Sequence, residues 1–294
     1  MSTLTTQFQK RFSGGVKILV ACLAAVICAC AGGPRLLEVE GPVDLKIRGE
    51  AGYQDLAKIR SHSYERVFER GQLTQEKEEV VDFAVETRTE RIDENGHLYQ
   101  KITVVEKNGN ADLHSMAYPE LGETLDVVLS PTSRVLRSGS HPQDSIFYLP
   151  PIPLPEQPVA VGETWKNEWK WVSSSRVPLR LEMVGILKGI YRCRRGDQSQ
   201  CALIEVSGDV GLDTSGTTNL SLKSQVSGYI YFSLASGGVI WSEIHNQESL
   251  VSMSGGRVDI DSCLESILVL PENDKWTYAE KPTCRAGQEI SLPF

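Results

Sequence analysis

From Val81 onward the chain alternates with a period of two. Val81, Phe83, Val85, Thr87 and Thr89 are apolar or β-branched, and Asp82, Glu86 and Arg88 fall between them. Only a strand puts such a set on one face, because successive side chains of an extended chain point to opposite sides. Asn95-Gly96 follows, and these residues tolerate the positive φ that both central positions of a type I′ turn require. Leu98–Glu106 returns, Asn108-Gly109 turns again, and Ala111–Tyr118 reads as a third pass. Leu125–Leu129 and Arg134–Arg137 flank a turn at Ser130-Pro131. The runs Leu179–Tyr191, Ala202–Val210, Thr217–Ser233 and Gly238–Ser252 continue the pattern, with the polar, Gly-rich Ser233–Gly238 as a further hairpin. The expected fold is all-β: an antiparallel meander forming a strongly curved sheet or partial barrel. Short helices are expected only at Tyr53–Arg60 and, for a turn or two, at Thr74–Val80.

The N-terminus carries a different signal. Lys10, Arg11 and Lys17 form a basic region without acids, and Ile18 to Ala29 is free of charge. A spanning helix needs about 20 apolar residues, so this run of twelve fits a signal h-region. It ends in Ile27-Cys28-Ala29-Cys30, which resembles the lipobox of bacterial lipoproteins. That resemblance implies cleavage before Cys30 and acylation of Cys30 and of the new amino terminus. Ala29-Cys30-Ala31 also satisfies the A-x-A pattern of ordinary signal cleavage, which would release a soluble periplasmic protein. No Asp follows Cys30 directly, which by resemblance to enterobacterial sorting favours the outer membrane. Loss of residues 1–29 leaves 27 Lys and Arg against 38 Asp and Glu, a formal charge of −11. Such a surface repels anionic headgroups and nucleic acid. Membrane attachment is therefore expected through acyl chains, and no nucleic-acid partner is expected.

Four cysteines remain beyond Cys30: Cys193, Cys201, Cys263 and Cys284. An even count in an exported chain reads as two disulfides. Cys193 and Cys201 bracket the polar turn RRGDQSQ between two β-rich runs, so a bridge there would clamp a hairpin base. Cys263 and Cys284 would then tie back the C-terminal tail, although four cysteines allow three connectivities. Zinc is the competing use, but its cysteines usually come as close C-x-x-C pairs, and these four contain none.

Residues 149–158, LPPIPLPEQP, hold five prolines in ten positions. Such a run cannot pair within a central strand and favours an extended polyproline II path. It reads as a semi-rigid connector. The expected organisation is a signal peptide at 1–29, a β-rich region at 30–148, the connector at 149–158, a second β-rich region at 159–262 and a disulfide-tied tail at 263–294. Beyond the connector, Trp165, Trp169 and Trp171 occupy alternate positions of one extended run and share a face. They read either as an aromatic platform for a sugar ring or acyl chain, or as rings filling the sheet's core. The segment LPPIPLPEQPVAVGETW resembles a family of uncharacterised bacterial lipoproteins with a Pro-rich stretch before an aliphatic-Gly-acid-x-Trp motif. The resemblance spans about residues 120–252 and implies a compartment and an antiparallel β fold, without assigning a functional residue.

The chemistry of catalysis leaves little trace. His62, His97, His114, His141 and His245 lack metal-ligand spacing, and there is no G-x-S-x-G, P-loop or G-x-G-x-x-G motif. No catalytic residue, metal or cofactor is expected. The expected function is a non-enzymatic outer-membrane lipoprotein that binds a hydrophobic ligand or an envelope protein, the alternative being a structural docking module and, less favoured, an envelope hydrolase.

Overall fold

In a computed structural model, residues 36–173, 176–193, 199–213, 220–269 and 281–292 are described, and they lie within one compact unit. Among the described residues twelve strands pair antiparallel throughout: β1 Leu36–Leu37, β2 Gln54–Glu69, β3 Gln72–Ile92, β4 Leu98–Asn108, β5 Thr124–Leu129, β6 Val135–Ser138, β7 Thr164–Val172, β8 Pro178–Arg192, β9 Gln200–Leu212, β10 Leu220–Ser233, β11 Gly238–Ser252 and β12 Gly256–Val269. The fold is an all-β meander, as the alternation predicts. Strands β2 to β6 pair consecutively, as do β7 to β12. The two runs join where β12 pairs β2, with Ser63 opposite Ser262. The sheet stays open, with β6 at one margin and β7 and β1 at the other, both paired to β8.

Three local expectations give way to long-range pairing. Tyr53–Arg60 is not helical; from Gln54 it belongs to β2, where Ile59 faces Phe83 and both are buried. Thr74–Val80 likewise lies inside β3. Local helix propensity is a weak prior that tertiary pairing overrides. The expected third pass at Ala111–Tyr118 is instead a 3-10 turn, Leu113–Met116. Asp112 accepts from the His114 N–H at its start, and Ala117 closes it at φ 63°. The turn seats Leu113 in a core with Ile59, Val81, Phe83, Val85 and Val104.

A larger core lies over β8 to β10 and contains Leu187, Ile204, Ile230 and Phe232. Leu45 from the N-terminal segment and Ile152 and Leu154 from the Pro-rich segment complete it. The N-terminal segment is tied on both sides. Val43 exchanges two backbone hydrogen bonds with Val159, Ile47 N–H donates to Pro131 (2.7 Å), and Arg48 N–H donates to Gly237 (3.2 Å). Gly237 has φ 63°, and a β-carbon there would lie 2.3 Å from the Arg48 nitrogen, so only glycine permits this approach.

Both disulfides are closed: Cys193–Cys201 at the base of the β8–β9 hairpin, with Cα atoms 5.0 Å apart, and Cys263–Cys284 between β12 and the tail, at 6.3 Å.

Candidate functional site

Strand β7 is the longest margin strand of the sheet. Its even residues Lys166, Glu168 and Lys170 are exposed. Its odd residues Trp165, Asn167, Trp169 and Trp171 turn inward and pair with β8. Trp165 faces Gly185, and its indole occupies the space a side chain would take, since a β-carbon there would fall 2.3 Å from the ring. The indole Nε1 donates to the Pro153 carbonyl at 2.6 Å. Trp165 and Trp171 are buried, while Trp169 is partly buried against the main core and lines an open cleft. Gly185→Ala is expected to displace the Trp165 ring and cost about 1–3 kcal/mol, read by urea denaturation followed through Trp fluorescence. Gly211→Ala, where nothing lies within 4 Å, is the control expected to leave the midpoint in place.

The Pro-rich segment forms the second wall. Prolines donate no backbone hydrogen bond, so this segment meets β7 through acceptors. The Pro153 carbonyl takes the Trp165 indole, and the Leu154 carbonyl takes Asn167 Nδ2 at 3.3 Å. Between the segment, β7 and the β5–β6 turn lies a cleft of about 680 Å³. Val135 of β6 and Trp169 of β7 both line it, so the two opposite margins of the open sheet border one cavity. The 3-10 turn Ile146–Tyr148 packs against both. Arg134 and Glu156 pair at its edge. Each is 64% exposed, and such pairs contribute at most about 1 kcal/mol.

Two polar features of this cleft lack protein partners. Asn167 Oδ1 is buried and accepts no hydrogen bond among the described residues. The outer backbone edge of β7 is also open. Alternate residues of an antiparallel strand turn both main-chain groups to the same side. Leu187 N–H bonds the Glu163 carbonyl, so odd residues face β8, whereas Val172 N–H leaves β8 for the Asp144 carbonyl at 2.6 Å. Lys166, Glu168 and Lys170 therefore aim their N–H and C=O groups outward, and among the described residues nothing pairs with them.

No protein-family model and no curated protein matches the sequence. Among solved structures, a mutant of the Rh. blastica porin is similar at 9% identity with a TM-score of 0.26, over 73% of this chain and 100% of that one. An outer membrane channel from Pseudomonas putida F1 is similar at 8% identity and a TM-score of 0.24, over 79% of this chain and 100% of that one.

A second polar cluster escapes sequence inspection. Glu243 and His245 on β11 are buried, with His245 Nε2 2.6 Å from Glu243 Oε1. Glu243 faces Glu265 of β12, and His245 faces Cys263, which faces His62 of β2. Glu265 accepts from Trp241 Nε1 (2.9 Å), Thr283 N–H and Cys284 N–H (2.8 Å), and His62 Nδ1 accepts from Ala286 N–H (2.9 Å). The alternation Trp241-x-Glu243-x-His245 in an apolar strand was the available signal, but the partners come from strands distant in sequence. Elsewhere the His141 ring stacks on Phe147 at 3.7 Å, with His114 6.4 Å away. Burial first, then the neighbouring His114, lowers the His141 pKa below its ordinary value. Among the described residues no group of three or more His, Cys, Asp or Glu side chains is placed to hold a metal ion. Cys30 lies outside the described residues.

Proposed function

We propose that this chain is a non-enzymatic docking protein of the cell envelope, held at the outer membrane by acyl chains on Cys30 and engaging an envelope protein through the cleft between β6 and β7. The unpaired outer edge of β7 carries the docking half of this reading, because a strand margin with free main-chain groups is a template for another chain. The anchoring half rests on the basic N-terminal region, the twelve uncharged residues and the Ile27-Cys28-Ala29-Cys30 sequence. Two or more acyl chains anchor stably where one is marginal.

A photoactivatable residue at Glu168 in intact cells tests it. One dominant crosslinked protein is expected, absent when the same group replaces the exposed Glu90 of β3; a scatter of minor products from both positions would sink the reading.

Trp169 at the cleft favours a second reading, the binding of an acyl chain. The cleft is also lined by Arg134, Glu156, Glu163, Lys166 and Glu168, and burying charged groups against a hydrocarbon without partners is costly. A lipid-mass adduct surviving native mass spectrometry would reverse the order of the two readings.

A further inference from the structure

The docking reading leaves the partner's chemistry open, and the geometry of β7 narrows it. We infer that the occupant of the seam is an extended peptide segment of the partner, added to β7 as a further strand with an acid–base–acid order opposite Lys166, Glu168 and Lys170. This rests on the docking reading and deepens it.

Three observations lead there. First, Lys166, Glu168 and Lys170 each direct one N–H and one C=O to the outer side. Only another extended backbone offers donors and acceptors at the matching repeat, the mode by which peptides add to sheet edges. Secondly, the other margin strands are short, β1 with two residues and β6 with four, whereas β7 has nine. Short edges are a common protection against strand addition, and β7 lacks it. Thirdly, the side chains on the exposed face follow the order Lys, Glu, Lys at positions two apart. The positions directly across on β8 do not neutralise them: Glu168 faces Glu182 and Lys170 faces Arg180, while Arg180 and Glu182 pair with each other and Lys170 reaches past β8 to Asp213 at 3.1 Å. Like charges in register repel, and opposite charges in register attract. An incoming strand with acid, base and acid at the matching positions relieves this pattern on the free side. On the inner face the same strand passes the cleft beside Trp169.

The probe is a set of three synthetic nonapeptides with valine at the intervening positions. One carries Glu-x-Lys-x-Glu, one the reversed Lys-x-Glu-x-Lys, and one uncharged Thr-x-Thr-x-Thr. They are titrated against the full chain in detergent by fluorescence anisotropy and amide hydrogen exchange. The first peptide is expected to bind at least tenfold tighter than the reversed one. It should slow exchange at Lys166, Glu168 and Lys170 at least tenfold, while Asn167 and Trp169, already facing β8, stay unchanged. Glu168→Pro removes an N–H that the β7–β8 ladder does not use. It should abolish binding while both disulfides and the thermal midpoint are retained. The pair Lys166→Glu and Lys170→Glu keeps the backbone edge and should transfer the preference to the reversed peptide. The inference is overturned if none of the peptides binds, if Glu168→Pro binds undiminished, or if the three outward amides exchange at unchanged rates. A single crosslinked partner in cells together with that failure would leave docking standing and reject strand addition alone. Strand addition with only scattered crosslinks would do the opposite.

Discussion

Trp241→Ala is expected to destabilise the fold by about 3–5 kcal/mol, the range for removing a fully buried large aromatic side chain. Trp241 is completely buried on β11, between Tyr231 of β10 and Ile267 of β12 in register. Its indole also gives Glu265 one of three hydrogen bonds, the others coming from the Thr283 and Cys284 main chain. The variant therefore opens a cavity and leaves a buried carboxylate one donor short. Trp241→Phe separates these contributions. It keeps most of the volume and loses the N–H, and a hydrogen bond to a charged group is worth about 1.5–3 kcal/mol. Guanidinium unfolding of both variants checks the division. If Trp241→Phe matches the parent, Glu265 does not depend on the indole.

Replacing Cys263 and Cys284 together by serine is the second large effect. The bridge spans a sequence separation of 21, and a closed loop of that size contributes roughly 3 kcal/mol by restricting the unfolded chain. The loss reaches further than loop closure. Thr283, Cys284 and Ala286 hold Glu265 and His62 through their amides, and a released tail would leave Glu265, Glu243 and His245 with water in its place. Limited trypsinolysis should cut the serine variant after Arg285 before it cuts the parent there. Because Trp241 and the tail both bond Glu265, the combined variant should cost less than the two changes added, since neighbours that share a partner are not additive. Strict additivity would mean that Glu265 does not couple them.

What could be read in advance was local. The alternation at Val81–Thr89, the hairpin at Asn95-Gly96 and the hairpin at Ser233–Gly238 each contain their own explanation within a few residues, although only Gly96 takes a positive φ (77°) and its N–H bonds the Asp93 carbonyl, so the turn is not the type I′ expected. The bracketing of a polar turn by Cys193 and Cys201 is equally local. Tyr53–Arg60 was misleading because its conformation is decided by β3 and β12. The alternate tryptophans could be placed on one face but not assigned to core or surface. That depends on Gly185 making room for one ring and on where the Pro-rich segment lies. The open edge of β7 was also hidden, since whether a strand has one neighbour or two is a property of the whole sheet. The Glu243–His245–Glu265 cluster needed the register of β11 on β12.

The pairing of β12 with β2 has a consequence for the order of events during synthesis. Strands β2 to β6 can zip together as each emerges, and so can β7 to β12, because every contact within a run is between successive strands. The junction is different. Ser63 must wait for Ser262, so the outer edge of β2, sixteen residues long, stays bare until nearly the whole chain has arrived. Non-local closures of this kind are slow, and bare edges in the interval invite misassociation. The late step of folding is thus the docking of two preformed meanders, and conditions that delay synthesis of the last strand should act on solubility before they act on the stability of the finished protein.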